Sequence, residues 1–220
     1  MPDQQAGFEV LGTLKSAEAE RALDAFFDEL AAGKLAPAVQ LDLVDAMQGS
    51  GSTKLQERLE AFQKTRGVES LVMAFKDAAL VGGNVGRGRE LFVEHPAAAC
   101  TRCHTVRNAG SDVGPNLTGV ATRLTRDLIL ESLIDPNARI APGFGTVSVT
   151  LRNGQKIDGT LKEETATELV VTTGAPPVER RLAKSDIAER TNPVSAMPPV
   201  GAILKPREVR DIVAYLATLK

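Results

Sequence analysis

The only two cysteines of this 220-residue chain lie three positions apart, and one of its two histidines follows them directly. The segment reads Cys100-Thr101-Arg102-Cys103-His104. Residues three apart lie on the same side of a helical turn, so both thiols and the imidazole can face one ligand. Other soft ligands are limited to His95 and four methionines, and the chemistry of the chain therefore depends on this segment.

The spacing of this segment is that of covalent haem c attachment. Each thiol can form a thioether with one of the two haem vinyl groups, and the adjacent imidazole then points at the iron. We therefore predict one covalent haem c, held by Cys100 and Cys103, with His104 as an axial ligand of the iron.

Three other interpretations of the segment are weaker. A redox-active cysteine pair needs a strand before it and a helix after it, whereas the upstream segment has a helical pattern and no parallel βαβ pattern follows. A zinc site would have to use His95, Cys100, Cys103 and His104, although tetrahedral sites usually take their ligand pairs from separated segments. A disulfide between the two cysteines would strain a short loop and leave His104 unexplained.

The residue on the other face of the iron decides what the haem can do, because His/Met ligation closes the site and favours electron transfer. The candidates are Met197, His95, Met1, Met47 and Met73. Met197 lies in a proline-containing loop just before the last helix, and such a loop can present a thioether rigidly. Although methionine more often fills a gap in a core, we predict Met197 as the second axial ligand.

The first 80 residues have the pattern of a helical scaffold. The clearest helix covers 16–32, with Ser16 as its N-cap and Gly33 as its end. Further helical patterns follow at 37–47 and 55–67, and a shorter one precedes it at 8–14. These resemble stacked antiparallel helix pairs, either the end of a HEAT-type array or an ordinary helical bundle, and both interpretations stay open.

A second domain is predicted for 81–220, after a glycine-rich linker at 81–88. A short helix at 89–95 leads into the cysteine segment, and a second helix covers 125–134. The last helix begins at Pro206, with apolar residues along one face.

The apolar period changes within this second domain. From 144 to 191, alternating apolar residues and a turn at 152–155 predict an inserted antiparallel sheet or small barrel. The expected fold is thus mainly α with an inserted β subdomain.

Composition argues against two classes of partner. The net charge is −2, from 26 basic and 28 acidic side chains, so no overall field attracts nucleic acid. No apolar run approaches the roughly 20 residues of a membrane span, and the first ten residues carry no signal-peptide pattern.

Several segments together resemble the mono-haem cytochrome c family in its usual order. They are 86–92, 100–104, 114–119, 195–199 and 212–216. More narrowly, residues 84–220 are similar to the haem-binding domain at the C-terminus of large planctomycete and verrucomicrobial proteins, in which a β insertion precedes the methionine loop and HEAT-like repeats lie upstream.

This resemblance implies specific contacts around the haem. The Pro115 carbonyl would accept a hydrogen bond from His104 Nδ1, and Gly88 and Phe92 would meet Tyr215 where the first and last helices of the domain cross. Arg123 is implied as a partner of a haem propionate. The 93 positions between His104 and Met197 exceed the usual separation, but the inserted sheet accounts for the excess.

The function expected from these features is electron transfer rather than catalysis. A redox partner protein or a dehydrogenase domain would supply the electrons. The alternatives are a peroxidase-like haem enzyme, although no dinucleotide fingerprint or acid/base pair accompanies the motif, and a haem-based sensor or interaction module. Since haem c is attached outside the cytoplasm, the resemblance implies a periplasmic or otherwise exported protein, and the missing signal peptide predicts that this chain is part of a longer one.

Overall fold

The computed structural model describes residues 2–67 and 71–220. Helices account for 47% of the chain and strands for 18%, so the fold is a mixture of packed helices and a multi-strand antiparallel sheet. The helices are α1 (Pro2–Thr13), α2 (Ala17–Ala31), α3 (Pro37–Gly49), α4 (Thr53–Thr65), α5 (Leu71–Ala74), α6 (Lys76–Ala79), α7 (Val85–Glu94), α8 (Arg126–Ile134) and α9 (Pro206–Leu216). Within these described ranges, no helix has the length and apolar character needed to cross a membrane.

Local capping explains where the N-terminal helices begin. The Ser16 hydroxyl accepts a hydrogen bond from the Ala19 amide at 3.2 Å, and the Ser52 hydroxyl accepts one from the Leu55 amide at 3.3 Å. The helices predicted near 16–32, 37–47 and 55–67 are confirmed. Helix α1 is longer than the predicted 8–14, and its Gly12 packs so closely on α3 that a Cβ atom there would lie 2.7 Å from Ala46 Cα.

The prediction of a glycine-rich linker at 81–88 is wrong for residues 85–88, which are helical. Helix α7 begins at Val85, because the Asn84 side chain caps it by accepting a hydrogen bond from the Arg87 amide at 3.0 Å. Gly88 lies inside this helix, where a Cβ atom would collide with the Asp211 carbonyl oxygen of α9. The glycine therefore serves the close crossing of two helices and not a flexible linker.

One hydrophobic core continues across the predicted domain boundary near residue 80. It includes Val44 of α3, Phe75 before α6, Phe92 of α7 and Ile212 of α9, each almost completely buried. The boundary stays a prediction, and the helices on its two sides share their interior.

The antiparallel sheet predicted for 144–191 is confirmed. Its strands are β3 (Gly145–Leu151), β4 (Lys156–Glu164), β5 (Glu168–Thr173), β6 (Val178–Ala183), β7 (Ile187–Arg190) and β8 (Val194–Ser195), after a small hairpin of β1 (Thr105–Val106) and β2 (Ala109–Gly110). The strand order is β6-β5-β4-β3-β7, and β8 also pairs with β3. The edge strands β6 and β7 are joined by a turn of only three residues, Lys184–Asp186, so the sheet curls around its own core.

The core of the sheet is separate from that of the helices. Its buried side chains are Val147, Val149, Ile157, Leu169, Val171 and Leu182. They alternate with more exposed positions along β3, which is the period of a strand with one buried face. The sheet thus has a hydrophobic core of its own. In chain order it lies between α8 and α9, and after β8 the chain returns to the helices.

Candidate haem-binding site

The cysteine segment forms a single tight turn after α7, from which it is separated by residues 95–99. Cys100–Arg102 are a 3₁₀ turn, and the amides of Cys103 and His104 donate to the Cys100 carbonyl at 3.1 and 2.9 Å. Ala99 precedes this turn with a left-handed φ of 42°. The backbone therefore places both thiols and the imidazole on one turn, as the spacing of the segment predicted.

The two thiols differ in their surroundings. Both are free, with Cys100 half-buried against the helical core and Cys103 exposed. Burial raises the pKa of the Cys100 thiol to about 11, whereas a reactive redox cysteine has a lowered pKa. The segment also follows a helix and precedes an antiparallel hairpin, so nothing around it has the thioredoxin arrangement.

The His104 ring is buried, and a hydrogen bond fixes its orientation. Its Nδ1 atom lies 2.8 Å from the Pro115 carbonyl oxygen. A carbonyl can only accept, so Nδ1 carries the proton and, in the neutral ring, Nε2 keeps a free lone pair. The contact implied by the resemblance is therefore present, and the imidazole has the tautomer that a metal ligand needs.

Gly114 holds the His104 ring from the side. A Cβ atom at Gly114 would lie 2.9 Å from His104 Cε1 and 3.0 Å from Nδ1, closer than real Cβ contacts. The Gly114 amide also donates to the Cys103 carbonyl at 2.6 Å. Only a glycine fits here, and its role went unnoticed in the sequence, although the Gly114-Pro115 pair could have indicated a special backbone at this point.

Arg123 is exposed and binds the loop that carries Pro115. Its guanidinium donates to the carbonyls of Asn116 at 2.9 Å and Thr118 at 3.2 Å. The propionate contact implied by the resemblance stays a prediction, and in the structure the two terminal nitrogens of the guanidinium are used by the backbone.

Met197 is half-buried and packs on the helical core, as Cys100 does. Its loop is anchored at two points: the Met197 amide donates to the Ser195 hydroxyl at 3.1 Å, and the Ser195 amide donates to the Asn137 side chain at 2.9 Å. Ser195 also pairs with Gly145 in the sheet. The thioether is thus presented by a fixed loop, although its ligation of iron stays a prediction.

The other ligand candidates are placed differently. Met47 is completely buried among the N-terminal helices, Met73 is 37% exposed in α5, and Met1 lies outside the described residues. His95 accepts hydrogen bonds at Nδ1 from the Ala97 and Ala98 amides, at 3.3 and 3.0 Å. Its Nδ1 is therefore occupied by backbone donors, which makes His95 a local capping residue.

A zinc site receives no support from the arrangement of side chains. In the part of the chain that the structure describes, no three side chains of His, Cys, Asp or Glu come together in a way that could hold a metal ion. By contrast, two free thiols on one turn beside an imidazole with a free Nε2 have the chemistry that holds haem c. Met197 lies on a separate loop and packs on the helical core.

Comparison of the chain with models of known protein families finds no match, and comparison with curated proteins finds none either.

Proposed function

We propose that this chain is an electron-transfer module with one covalent haem c, bound through Cys100 and Cys103 and ligated by His104 and Met197. Two features together carry the proposal. His104 Nδ1 donates a hydrogen bond to the Pro115 carbonyl, and His104 directly follows a turn that holds two free thiols. A purely structural histidine has no need of a neighbouring thiol pair, whereas a haem c ligand needs both features.

The order of the elements supports a cytochrome c-like arrangement of the second half of the chain. Helix α7 leads into the cysteine segment, α8 follows, and α9 closes the chain against α7. At the crossing, Gly88 lies against Asp211, and the rings of Phe92 and Tyr215 are 5.6 Å apart. The helices α1 to α4 before it are consistent with a HEAT-like scaffold.

The residues of this site have distinct roles in the proposal. When bound, haem supplies the one-electron chemistry. Pro115 and Gly114 fix the orientation of the His104 ring. The ring would therefore keep the same orientation whether the haem is oxidised or reduced. Met197, on a loop anchored by Ser195, would supply a thioether ligand that leaves no open site for water or oxygen. The partner would be a redox protein or a dehydrogenase domain, and attachment of haem c places the protein outside the cytoplasm.

A spectroscopic experiment tests this proposal. The chain is produced with an export signal in a bacterium that has a haem c maturation system, and reduced and oxidised spectra are recorded. We expect a low-spin spectrum with the long-wavelength methionine-to-iron band in the ferric state, and no carbon monoxide binding to the ferrous state at neutral pH.

Matched variants locate the two axial ligands. Met197→Ala should abolish the methionine band and open the iron to carbon monoxide, while Met73→Ala should change neither. His104→Ala should prevent formation of the low-spin haem protein, while His95→Ala should not. Rapid carbon monoxide binding by the unmodified protein would contradict electron transfer and favour the sensor or enzyme alternatives.

A further inference from the structure

Arg123 connects the loop around Pro115 to the helical core. Its two terminal guanidinium nitrogens donate to the carbonyls of Asn116 and Thr118, the residues one and three positions after Pro115. Two bonds from one planar guanidinium, to two carbonyls of the same loop, fix direction as well as distance. A lysine, with a single ammonium group on a flexible stem, cannot reproduce this geometry.

The backbone at Arg123 is itself held in place. It ends the 3₁₀ turn Val120–Thr122, in which Val120 is buried and the Ala121 amide donates to the Leu219 carbonyl at 2.9 Å. Arg123 therefore ties the loop to the segment that follows α9.

The loop also has hydrogen bonds to other parts of the chain. The Thr118 hydroxyl accepts from the Arg107 amide at 2.8 Å, and the Leu117 amide donates to the Thr105 carbonyl at 2.9 Å. Both of these bonds join the loop to the hairpin after His104. The turn also reaches the loop through its backbone, where the Val120 amide donates to the Leu117 carbonyl at 3.0 Å, and the Leu117 side chain packs on the helical core. Arg123 adds bonds to the two carbonyls on either side of Leu117.

We infer that Arg123 is a positioning residue. It fixes the orientation of the Pro115 carbonyl and, through that carbonyl, the orientation of the His104 ring. The part of this inference that concerns iron rests on the proposed function. With the carbonyl held in line, Nδ1–H of His104 forms a strong hydrogen bond, which makes the imidazole a stronger donor to a metal. This role differs from a propionate partner, because it acts on the protein whether or not haem is present.

The first test uses the full chain without haem, where no propionate exists. Arg123→Lys and Arg123→Gln are compared with Arg126→Lys. Arg126 is a matched control, because it is exposed and also donates to a backbone carbonyl, that of Leu80 at 2.7 Å, away from this loop. The ring ¹⁵N shifts of His104 are measured at about pH 8, above the ordinary pKa of histidine, so that they report the tautomer.

We expect both Arg123 variants to lose the pure Nδ1–H tautomer and become a mixture, while the unmodified chain and Arg126→Lys keep one tautomer. Thermal unfolding of each variant checks that the fold is retained, and the exposed position of Arg123 favours this. An unchanged His104 tautomer in Arg123→Gln would overturn the inference, whatever the outcome for haem.

The second test uses the haem-loaded protein and its reduction potential. A weaker bond at Nδ1 makes His104 a poorer donor to ferric iron, so both Arg123→Lys and Arg123→Gln should shift the potential upward, and Arg126→Lys should not. If Arg123 instead paired with a propionate, Arg123→Lys would keep the charge and the potential, and only Arg123→Gln would change it. Failure of haem attachment would contradict the proposed function, whereas the result of the first test, made without haem, would remain valid.

Discussion

Arg210 of α9 and Asp42 of α3 form a buried, two-pronged ion pair, with their nitrogen and oxygen atoms 2.6 and 3.1 Å apart. The two residues are separated by 168 positions, and both side chains are almost completely shielded from solvent. The pair joins the N-terminal helices to the helix that crosses α7, and α7 leads into the cysteine segment. The scaffold and the candidate site are therefore mechanically connected.

Removing one partner of this pair should destabilise the whole chain. Arg210→Met leaves the buried Asp42 carboxylate with only Arg207, 4.0 Å away, and removes the Arg210 contact of the buried Asp211 as well. We expect a loss of about 3–5 kcal/mol in the free energy of unfolding. The double variant Asp42→Leu/Arg210→Met should recover much of the loss. Urea denaturation measures both, and Arg21→Met, which removes an exposed ion pair with Glu18, should cost less than about 1 kcal/mol. Equal effects of Arg210→Met and Arg21→Met would contradict the buried pair.

Asp45 should make the stability depend on pH. Burial raises its pKa to about 6, although Arg207 Nε lies 3.3 Å away, because neither carboxylate oxygen has a hydrogen-bond partner. Since the folded pKa exceeds the ordinary value of 3.8, the associated stability is present below about pH 4 and is lost as the pH rises through 6.

Comparison with Asp45→Asn isolates this contribution. The variant should gain stability relative to the unmodified chain between pH 4 and pH 7, by up to about 3 kcal/mol for a shift of two pKa units. Denaturant melts at several pH values measure the difference. Two curves that run parallel through pH 6 would show that Asp45 does not titrate in this range.

Gly88→Ala should disrupt the crossing of α7 and α9. The added Cβ would meet the Asp211 carbonyl and approach Tyr215 Cβ within 2.9 Å, and a backbone atom cannot move aside as a side chain can. We expect a loss of about 3 kcal/mol in the free energy of unfolding. Gly86→Ala, in the same helix with its nearest contact at 3.4 Å, should be neutral or stabilising. Tolerance of both changes would mean that the crossing is looser than described.

Gly114→Ala should affect the site more than the fold. Its Cβ would press on the His104 ring, which must then rotate or lose its bond to Pro115. We expect the haem-loaded variant to show weakened ligation by His104 in its low-spin spectrum, with about 1–3 kcal/mol lost in stability. Gly7→Ala is the control, because its Cβ would have no neighbour within 4 Å. A normal spectrum in Gly114→Ala would contradict the close contact between Gly114 and the His104 ring.

Elements with strong local signals could be predicted from the sequence. Helix α9 begins at Pro206 as predicted, because proline fits a first turn and the apolar period is regular. The antiparallel sheet was evident from its period of two. Helices α5 and α6, of four residues each, were missed because they are too short to show a period.

Long-range contacts explain the remaining differences. The glycines of 81–88 have low helix propensity, and only the close approach of α9 shows why Gly88 belongs in a helix. At the site, the bond between His104 and Pro115 followed from a local motif and its family resemblance. The contact of Gly114 with the ring and the bonds of Arg123 depend on how the loop returns to the turn, which no local pattern reveals.

Covalent attachment of haem to Cys100 and Cys103 is the central claim of this account. The most direct test is the intact mass of the exported, denatured protein after extraction with acidified acetone. We predict a mass increased by one haem, which is lost only in Cys100→Ala/Cys103→Ala. An unmodified chain at its bare polypeptide mass, produced beside a control cytochrome c that is fully loaded, would contradict the claim.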